Sequence, residues 1–393
     1  MKILQVLCGG AWGGGSVVVM AITRALIERG DEVWVLCNDE SNAARFREAG
    51  ARIVRSPLWR RSIQPLDIVP LVHLFRLCRR EKFDLVATHT SKGGFLGRLA
   101  ARAARVPHVV YHAHAFFFNH MAPGPRRAFY VALERFAARF GDHIITVSEE
   151  HRQGAVRAGV DRAARMTTAL NGIDLQPFAA ADGAAARAAL GFGPDDLLLG
   201  AVGRLAPYKG FEYLLRALPA VFEAHPRARL LLCGDGPMEA ELRAECARAG
   251  VTSRVHFLGF RRDVPALLAA FDVFVQPSER EGLSIALLEA AAAGRPAVGC
   301  TITGNAEIVT HGATGLLVAP ADPAALAAAL CTVLADSNAR RSIGRAARRR
   351  AESLFGEERM VRENIAVYDR LVAARVHRLD TTLPARSAAR QPA

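Results

Sequence analysis

One unit recurs along this chain and limits what it can fold into: a short buried strand, a turn at its end, and then a helix. The unit opens the chain. Residues 3–8 read as a strand, 9–15 as a glycine-rich turn and 16–29 as a helix closed by Gly30, before the next strand at 33–37. Two strands joined by a crossover helix lie parallel, and parallel sheets need helices on both faces. The alternation continues with strands at 84–89, 107–110 and 143–148 and another that begins at 167. It starts again at 197, with strands within 228–237, 256–260 and 272–278, and with 296–300, 303–309 and 314–320 finishing the sheet. Helices at 95–105, 126–139, 149–158, 179–190, 211–225, 322–334 and 339–355 supply the cover. The reading is α/β: two doubly wound domains facing one another across a cleft, at 1–178 and 179–355. A helix at 356–376 is expected to pack back on the first domain, followed by a disordered tail at 377–393.

Composition narrows the class. A chain of 393 residues is long for a single core. Hydrophobic residues make up 51% and charged residues 23%, which excludes a disordered or fibrous chain, and no stretch reaches the roughly 18 apolar residues of a membrane span. The apolar N-terminus is broken by five glycines and then acquires Arg24, Glu28 and Arg29, so it fits strand, loop and helix better than a signal peptide. Seven cysteines without a Cys-x-x-Cys pair fit small core residues in a reducing cytosol. The net charge of +13 is uneven: residues 1–187 carry 26 Lys and Arg against 16 Asp and Glu, the remainder 25 against 22. A basic first half suits nucleic acid, an anionic membrane surface or phosphate-bearing substrates.

The chemistry concentrates in PSEREGLSIALLEAAAAGRPAV, residues 277–298. Glu281 precedes the helix this stretch opens and Glu289 lies inside it, on a run of Leu and Ala with high helix propensity. Between them Gly282, Leu283 and Ser284 leave backbone N–H groups free to face an anion. Eight helical residues cover roughly 12 Å, the reach from the sugar to the ribose of a nucleotide-sugar whose diphosphate lies over the helix start. Two solvated glutamates on a buried helix would leave the same pattern. Upstream, Arg204 and Lys209 follow a buried strand, where a fork and a point charge suit a diphosphate. Two ordinary surface cations remain the alternative.

In the first half, His112 and His114 alternate at strand spacing, at the end where a strand runs into the cleft. Such a histidine can hydrogen-bond a substrate hydroxyl or move a proton; a satisfied structural histidine is the other reading. Phe116, Phe117 and Phe118 are either core or a loop touching lipid. Gly13, Gly14 and Gly15 let a backbone or a substrate approach closely. They are not the dinucleotide fingerprint, because Val18 stands where its third glycine belongs and no acidic residue ends the second strand. A nicotinamide enzyme is therefore disfavoured.

With these residues placed, the chain resembles the family 4 glycosyltransferases of the GT-B fold, found in bacterial polysaccharide and glycolipid assembly. GRLAPYKG, GDGP, FLGF, the E-x(7)-E stretch and GNAEIVTHGATGLLV occur in that order between residues 197 and 320, and THTSKGGFLGRLAARAARVPHVVYHAHAF is similar to the matching first-domain stretch. The resemblance implies two Rossmann-like domains and a retaining transfer of sugar from a nucleotide diphosphate to an acceptor hydroxyl. Front-face attack without an enzymic nucleophile is the mechanism it implies. By this similarity His114, Arg204, Lys209 and Glu281 are catalytic. Arg204 and Lys209, in the loop opened by Gly203, would hold the diphosphate, and Glu281 and His114 would contact the donor sugar. The amides of Gly282, Leu283 and Ser284 would face sugar and phosphate, Glu289 would hold the ribose, and the loop at Phe260 would meet the base. Gly13, Gly14 and Gly15 would approach phosphate and acceptor.

No Asp-x-Asp pair suited to a divalent metal is found, so no metal site, no cofactor beyond the donor and no need for Mg²⁺ are expected. The expected partners are a nucleotide-sugar, a glycan or lipid-linked acceptor and, peripherally, an anionic membrane met by the basic first domain and the loop at 116–118. Nucleic acid is not among them. The expected location is the cytoplasm, at the inner face of the cytoplasmic membrane. His114-Ala115-Phe116 replaces the family's usual His-Gly-Phe, and Thr303-Gly304 replaces a usual glycine pair. Two alternatives stay open on the same fold. An epimerase would form product from donor alone, and a nucleotide-sugar-binding protein would bind without turnover.

Overall fold

The computed structural model describes residues 1–7, 12–59 and 64–382, without the side chains of Phe117 and of residues 375–382. Cys8 of the expected first strand, Gly9, Gly10 and Ala11 of the expected turn and residues 383–393 of the expected tail lie outside the described residues.

Two sheets form, and every strand pairing within them is parallel. The first holds β1 (Lys2–Val6), β2 (Glu32–Leu36), β3 (Arg52–Val54), β4 (Leu85–His89), β5 (His108–Ala113), β6 (His143–Thr146) and β7 (Met166–Thr168), in the order β3-β2-β1-β4-β5-β6-β7. The second holds β8 (Leu197–Val202), β9 (Ala228–Cys233), β10 (Val255–Gly259), β11 (Val273–Gln276), β12 (Ala297–Cys300) and β13 (Gly315–Val318), in the order β10-β9-β8-β11-β12-β13. The central strands β4 and β5 are buried along their whole length because helices cover both faces. In each sheet the strand order reverses once, beside β1 in the first and beside β8 in the second. The loops leaving neighbouring strands diverge there and open a crevice at the carboxyl edge. The glycine turn follows β1 and His89 ends β4, while Arg204 follows β8 and Glu281 follows β11. Both crevices therefore fall on the residues singled out in the sequence.

One expected strand is a helix. Residues 303–309 contain the single turn Asn305–Ile308 instead of a strand. The reason is topological: β12 and β13 pair in parallel, so the segment between them must cross back over the sheet rather than join it. Gly304 begins the turn at φ +89°, and the Asn305 side chain donates to the Cys300 carbonyl at 3.0 Å. The expected helix at 179–190 is divided into Gln176–Ala180 and Gly183–Ala189, because Asp182 caps the second piece by accepting from the N–H groups of Ala184 and Ala185. The final helix spans Glu357–Thr382, running past the boundary at residue 376 into the expected tail.

That helix leaves the second domain and packs on Gly14–Glu28 of the first, burying Met360, Val367 and Tyr368 in its core. The chain thus passes between domains twice, and the two passages lie side by side. Ile173 N–H donates to the Phe355 carbonyl at 2.9 Å, and Glu357 N–H donates to the Ile173 carbonyl at 2.9 Å. Gly172 makes this pairing possible, since a Cβ there would lie 2.3 Å from the Gly356 oxygen. Nearer the crevices Glu307 crosses between the domains. It accepts Ser148 Oγ at 2.6 Å and the N–H groups of Glu149 and Glu150 at 3.0 Å each. A carboxylate of the second domain so occupies the N-terminus of helix Glu149–Arg157 in the first.

Gly172→Ala is expected to force the two passages apart and to cost about 1–3 kcal/mol, the usual range for overpacking. A lowered midpoint in urea unfolding, at unchanged secondary structure, is the check.

Candidate active site

Glu281 and Lys209 meet in the second crevice. Lys209 Nζ donates to Glu281 Oε1 at 2.6 Å, and the same oxygen accepts Gln276 Nε2 at 2.8 Å and Ser278 Oγ at 2.9 Å. Three donors hold one oxygen; among the described residues Oε2 has no partner. Burial alone would lower the Lys209 pKa, but the adjacent Glu281 carboxylate more than reverses that, so the ammonium is held charged. The sequence reading set both cations on a diphosphate. The structure pairs Lys209 with Glu281 and leaves Arg204, exposed in the same loop, without an ion-pair partner among the described residues. Gly203 runs beside Lys209, whose Nζ would be 3.9 Å from a Cβ at that position.

The helix Ile285–Ala292 starts from Ser284, whose hydroxyl accepts the Leu287 N–H at 3.4 Å. Glu289 lies inside it with no side-chain hydrogen bond or ion pair among the described residues, and burial pushes its pKa up to about 8. Phe260 follows β10 and is 53% exposed, an aromatic face at the rim.

The loops carrying these groups are stacked backbone on backbone. A Cβ on Gly282 would lie 1.7 Å from the His114 oxygen, and one on Gly304 would lie 2.0 Å from the Gly282 oxygen. The start of helix Gly14–Glu28 closes in from the other side: a Cβ on Gly14 would be 2.8 Å from Ile285 Cγ1, and one on Gly15 would be 3.8 Å from the His114 ring. His114, Gly13–Gly15 and the Glu281 loop are therefore one site built from both domains.

His114 belongs to a stack of imidazoles. His89 lies between His112 and His114, with ring centroids 4.6 Å and 5.3 Å away. His89 Nδ1 is 3.1 Å from His114 Nε2, and His89 Nε2 is 2.7 Å from Gln5 Oε1. His112 Nε2 is 2.6 Å from the Tyr368 hydroxyl on the final helix. Burial pulls His114 down to about 4 and His112 to about 3, and it holds His89 well below its ordinary value. All three are neutral at pH 7, so His114 offers hydrogen bonds rather than charge.

Phe116 and Phe118 settle in the core of the first domain with Val131 and Ala155, which removes them from any lipid contact. The apolar surface of that domain lies elsewhere, at Leu66, Ile68, Val69 and Val72 around the start of helix Ile68–Glu81, and at Phe129. Sequence reasoning also missed His151 and Asn171, which hold the Glu281 loop from the first domain, and Asn119, which hydrogen-bonds His151. Only Asn171 carried a signal, as part of the Asn-Gly turn at 171–172. Among the described residues, no three His, Cys, Asp or Glu side chains are placed to share a metal ion, and no helix is long and apolar enough to cross a membrane.

Residues 12–177 match the family described as Glycosyltransferase Family 4, and residues 196–336 match Glycosyl transferases group 1. The UDP-Gal:alpha-D-GlcNAc-diphosphoundecaprenol alpha-1,3-galactosyltransferase of Escherichia coli is 31% identical over 293 residues, 73% of this chain and 76% of that protein. The chain belongs to the family 4 glycosyltransferases. Anabaena Alr3699/HepE, solved in complex with UDP-glucose, matches this glycosyltransferase with a TM-score of 0.80 at 25% identity, over 94% of this chain and 100% of that one. WaaG, a glycosyltransferase involved in lipopolysaccharide biosynthesis, shares the GT-B fold at a TM-score of 0.74 and 20% identity, over 91% and 98% of the two chains.

Glu289 gives this glycosyltransferase a pH dependence with a defined sign. A carboxyl raised from 4.5 to about 8 contributes stability that is full below the unfolded value and is lost as pH climbs through the folded one. Glu289→Gln without ligand should therefore unfold a few degrees above the wild type at alkaline pH and close to it at acid pH. Thermal unfolding between pH 5 and 9 makes the comparison.

Proposed function

We propose that this enzyme transfers a hexosyl group, with retention of anomeric configuration, from a UDP-sugar to a hydroxyl of a lipid-linked glycan. The observation that carries the reading is the convergence of Arg204, Lys209, Glu281 and Glu289 on the loops and helix that follow two adjacent strands, β8 and β11. The named relatives support the substrates. The Escherichia coli protein carries UDP-Gal and a diphosphoundecaprenol acceptor in its name, and the Anabaena protein holds UDP-glucose.

In the proposed step the bond from the anomeric carbon to the phosphate oxygen breaks. The acceptor oxygen bonds to the same face of that carbon, and its proton passes to the departing phosphate. Arg204 and Lys209 offset the charge growing on the leaving group, the largest electrostatic demand of the reaction. A carboxylate nucleophile is disfavoured at Glu281, whose Oε1 already accepts from three donors. Its Oε2 is left for a sugar hydroxyl. Glu289 accepts from the ribose hydroxyls, and Phe260 lies beside the base. With two cations doing the work of a metal ion, the reaction proceeds without Mg²⁺ and needs no cofactor. Peripheral attachment is assigned to helix Ile68–Glu81 instead of the loop at 116–118. Its exposed Ile68, Val69 and Val72 are followed by exposed Arg76, Arg79 and Arg80, an apolar and basic face suited to an anionic bilayer on the cytoplasmic side.

Arg204→Ala should lower kcat by about 10²–10³ with UDP-hexoses as donors, and chelation by EDTA should leave the wild type unchanged. Full activity of the variant, or a requirement for a divalent ion, would sink the assignment. Separately, Ile68→Asp combined with Val72→Asp should abolish co-sedimentation with anionic vesicles while thermal stability is kept. Vesicle binding that survives both charges rules that face out.

A further inference from the structure

Two side chains of the first domain grip the loop that carries Glu281. His151, fully buried on helix Glu149–Arg157, has Nδ1 within 3.0 Å of the Asn119 side-chain amide and within 3.4 Å of the Phe116 N–H. Both are donors, so Nδ1 is the acceptor and Nε2 bears the hydrogen. Nε2 then donates to the Glu281 carbonyl at 3.2 Å. Asn171, also buried, donates from Nδ2 to the Leu283 carbonyl at 3.1 Å.

Each grip fixes more than a carbonyl. In a planar trans peptide the N–H points opposite to the C=O of the same unit. The Glu281 carbonyl shares its unit with the Gly282 N–H, and the Leu283 carbonyl shares its unit with the Ser284 N–H. Both N–H groups are consequently aimed away from the first-domain side chains that hold their carbonyls. Among the described residues neither finds a hydrogen-bond partner. They stand at the start of helix Ile285–Ala292, where the dipole adds to their pull on an anion.

We propose that His151 and Asn171 are positioning residues that aim the Gly282 and Ser284 amides at the sugar-phosphate half of the donor. The inference rests on the donor site described above and adds a condition to it. Because both grips cross between domains, the amides are aligned only while the first domain is seated on the second.

The test separates the two halves of the donor. Affinities for UDP-glucose and for uridine are measured by titration on the wild type, His151→Leu, His151→Gln and Asn171→Ala, with GDP-mannose and guanosine and ADP-glucose and adenosine in parallel. His151→Leu and Asn171→Ala are each expected to weaken the nucleotide sugar about tenfold, the worth of one hydrogen bond to a charged group, and to leave the nucleoside within about twofold. His151→Gln, whose amide can still donate to the Glu281 carbonyl, should recover most of the loss in affinity and in kcat. An equal loss for nucleoside and nucleotide sugar, no loss for either, or failure of glutamine to rescue overturns the positioning role. If the wild type binds no nucleotide sugar better than its nucleoside, the donor site itself falls. Should His151→Leu not fold, Asn171→Ala, which removes one hydrogen bond from a different element, decides the matter alone.

Discussion

The site depends on peptide backbone packed directly against peptide backbone. At Gly282 the second domain touches the His114 carbonyl of the first, and Gly304 lies in turn against Gly282. Any side chain at these points would put its Cβ 1.7 Å or 2.0 Å from the facing oxygen and force the loops apart. Because they are absent, Glu281 falls within reach of Lys209, Gln276 and Ser278 on its own domain and of His151 on the other. Electrostatics refines an arrangement that steric fit has already made.

The charges that remain are distributed in a particular way. Lys209 is paired with Glu281, Arg204 has no ion-pair partner among the described residues, burial favours the protonated form of Glu289, and burial favours the neutral form of His89, His112 and His114. Among the described residues the site is thus only mildly positive, with the unpaired Arg204 at its solvent edge. Under the proposed function, a diphosphate would meet exposed Arg204 and compete with Glu281 for Lys209.

Much of this was legible in the sequence. Alternating buried strands and helices set the two doubly wound sheets, and the order of motifs after residue 197 singles out Arg204, Lys209, Glu281 and Glu289, which lie on the loops and helix after β8 and β11. What the sequence hid was contact across the cleft. His151 sits in the polar run SEEHRQG, Glu307 in a segment that looked like a strand, and neither local pattern says which loop of the other domain it will meet. The pairing of Lys209 with Glu281 was hidden for the same reason, since it joins residues 72 apart in sequence. The three phenylalanines misled because apolar residues after a strand look alike whether they turn into the core or out to lipid, and Phe116 and Phe118 turn in.

The paired passages at Ile173 and Gly356 have a mechanical consequence. Two chain segments lying flat against each other and hydrogen-bonded make a strap rather than a string. A strap bends readily about one axis and resists twisting, so it channels relative motion of the two domains into opening and closing along a single arc. Closure along that arc would return His151 and Asn171 to the same carbonyls, and the joint that guides it at Ile173 lies next to Asn171 itself.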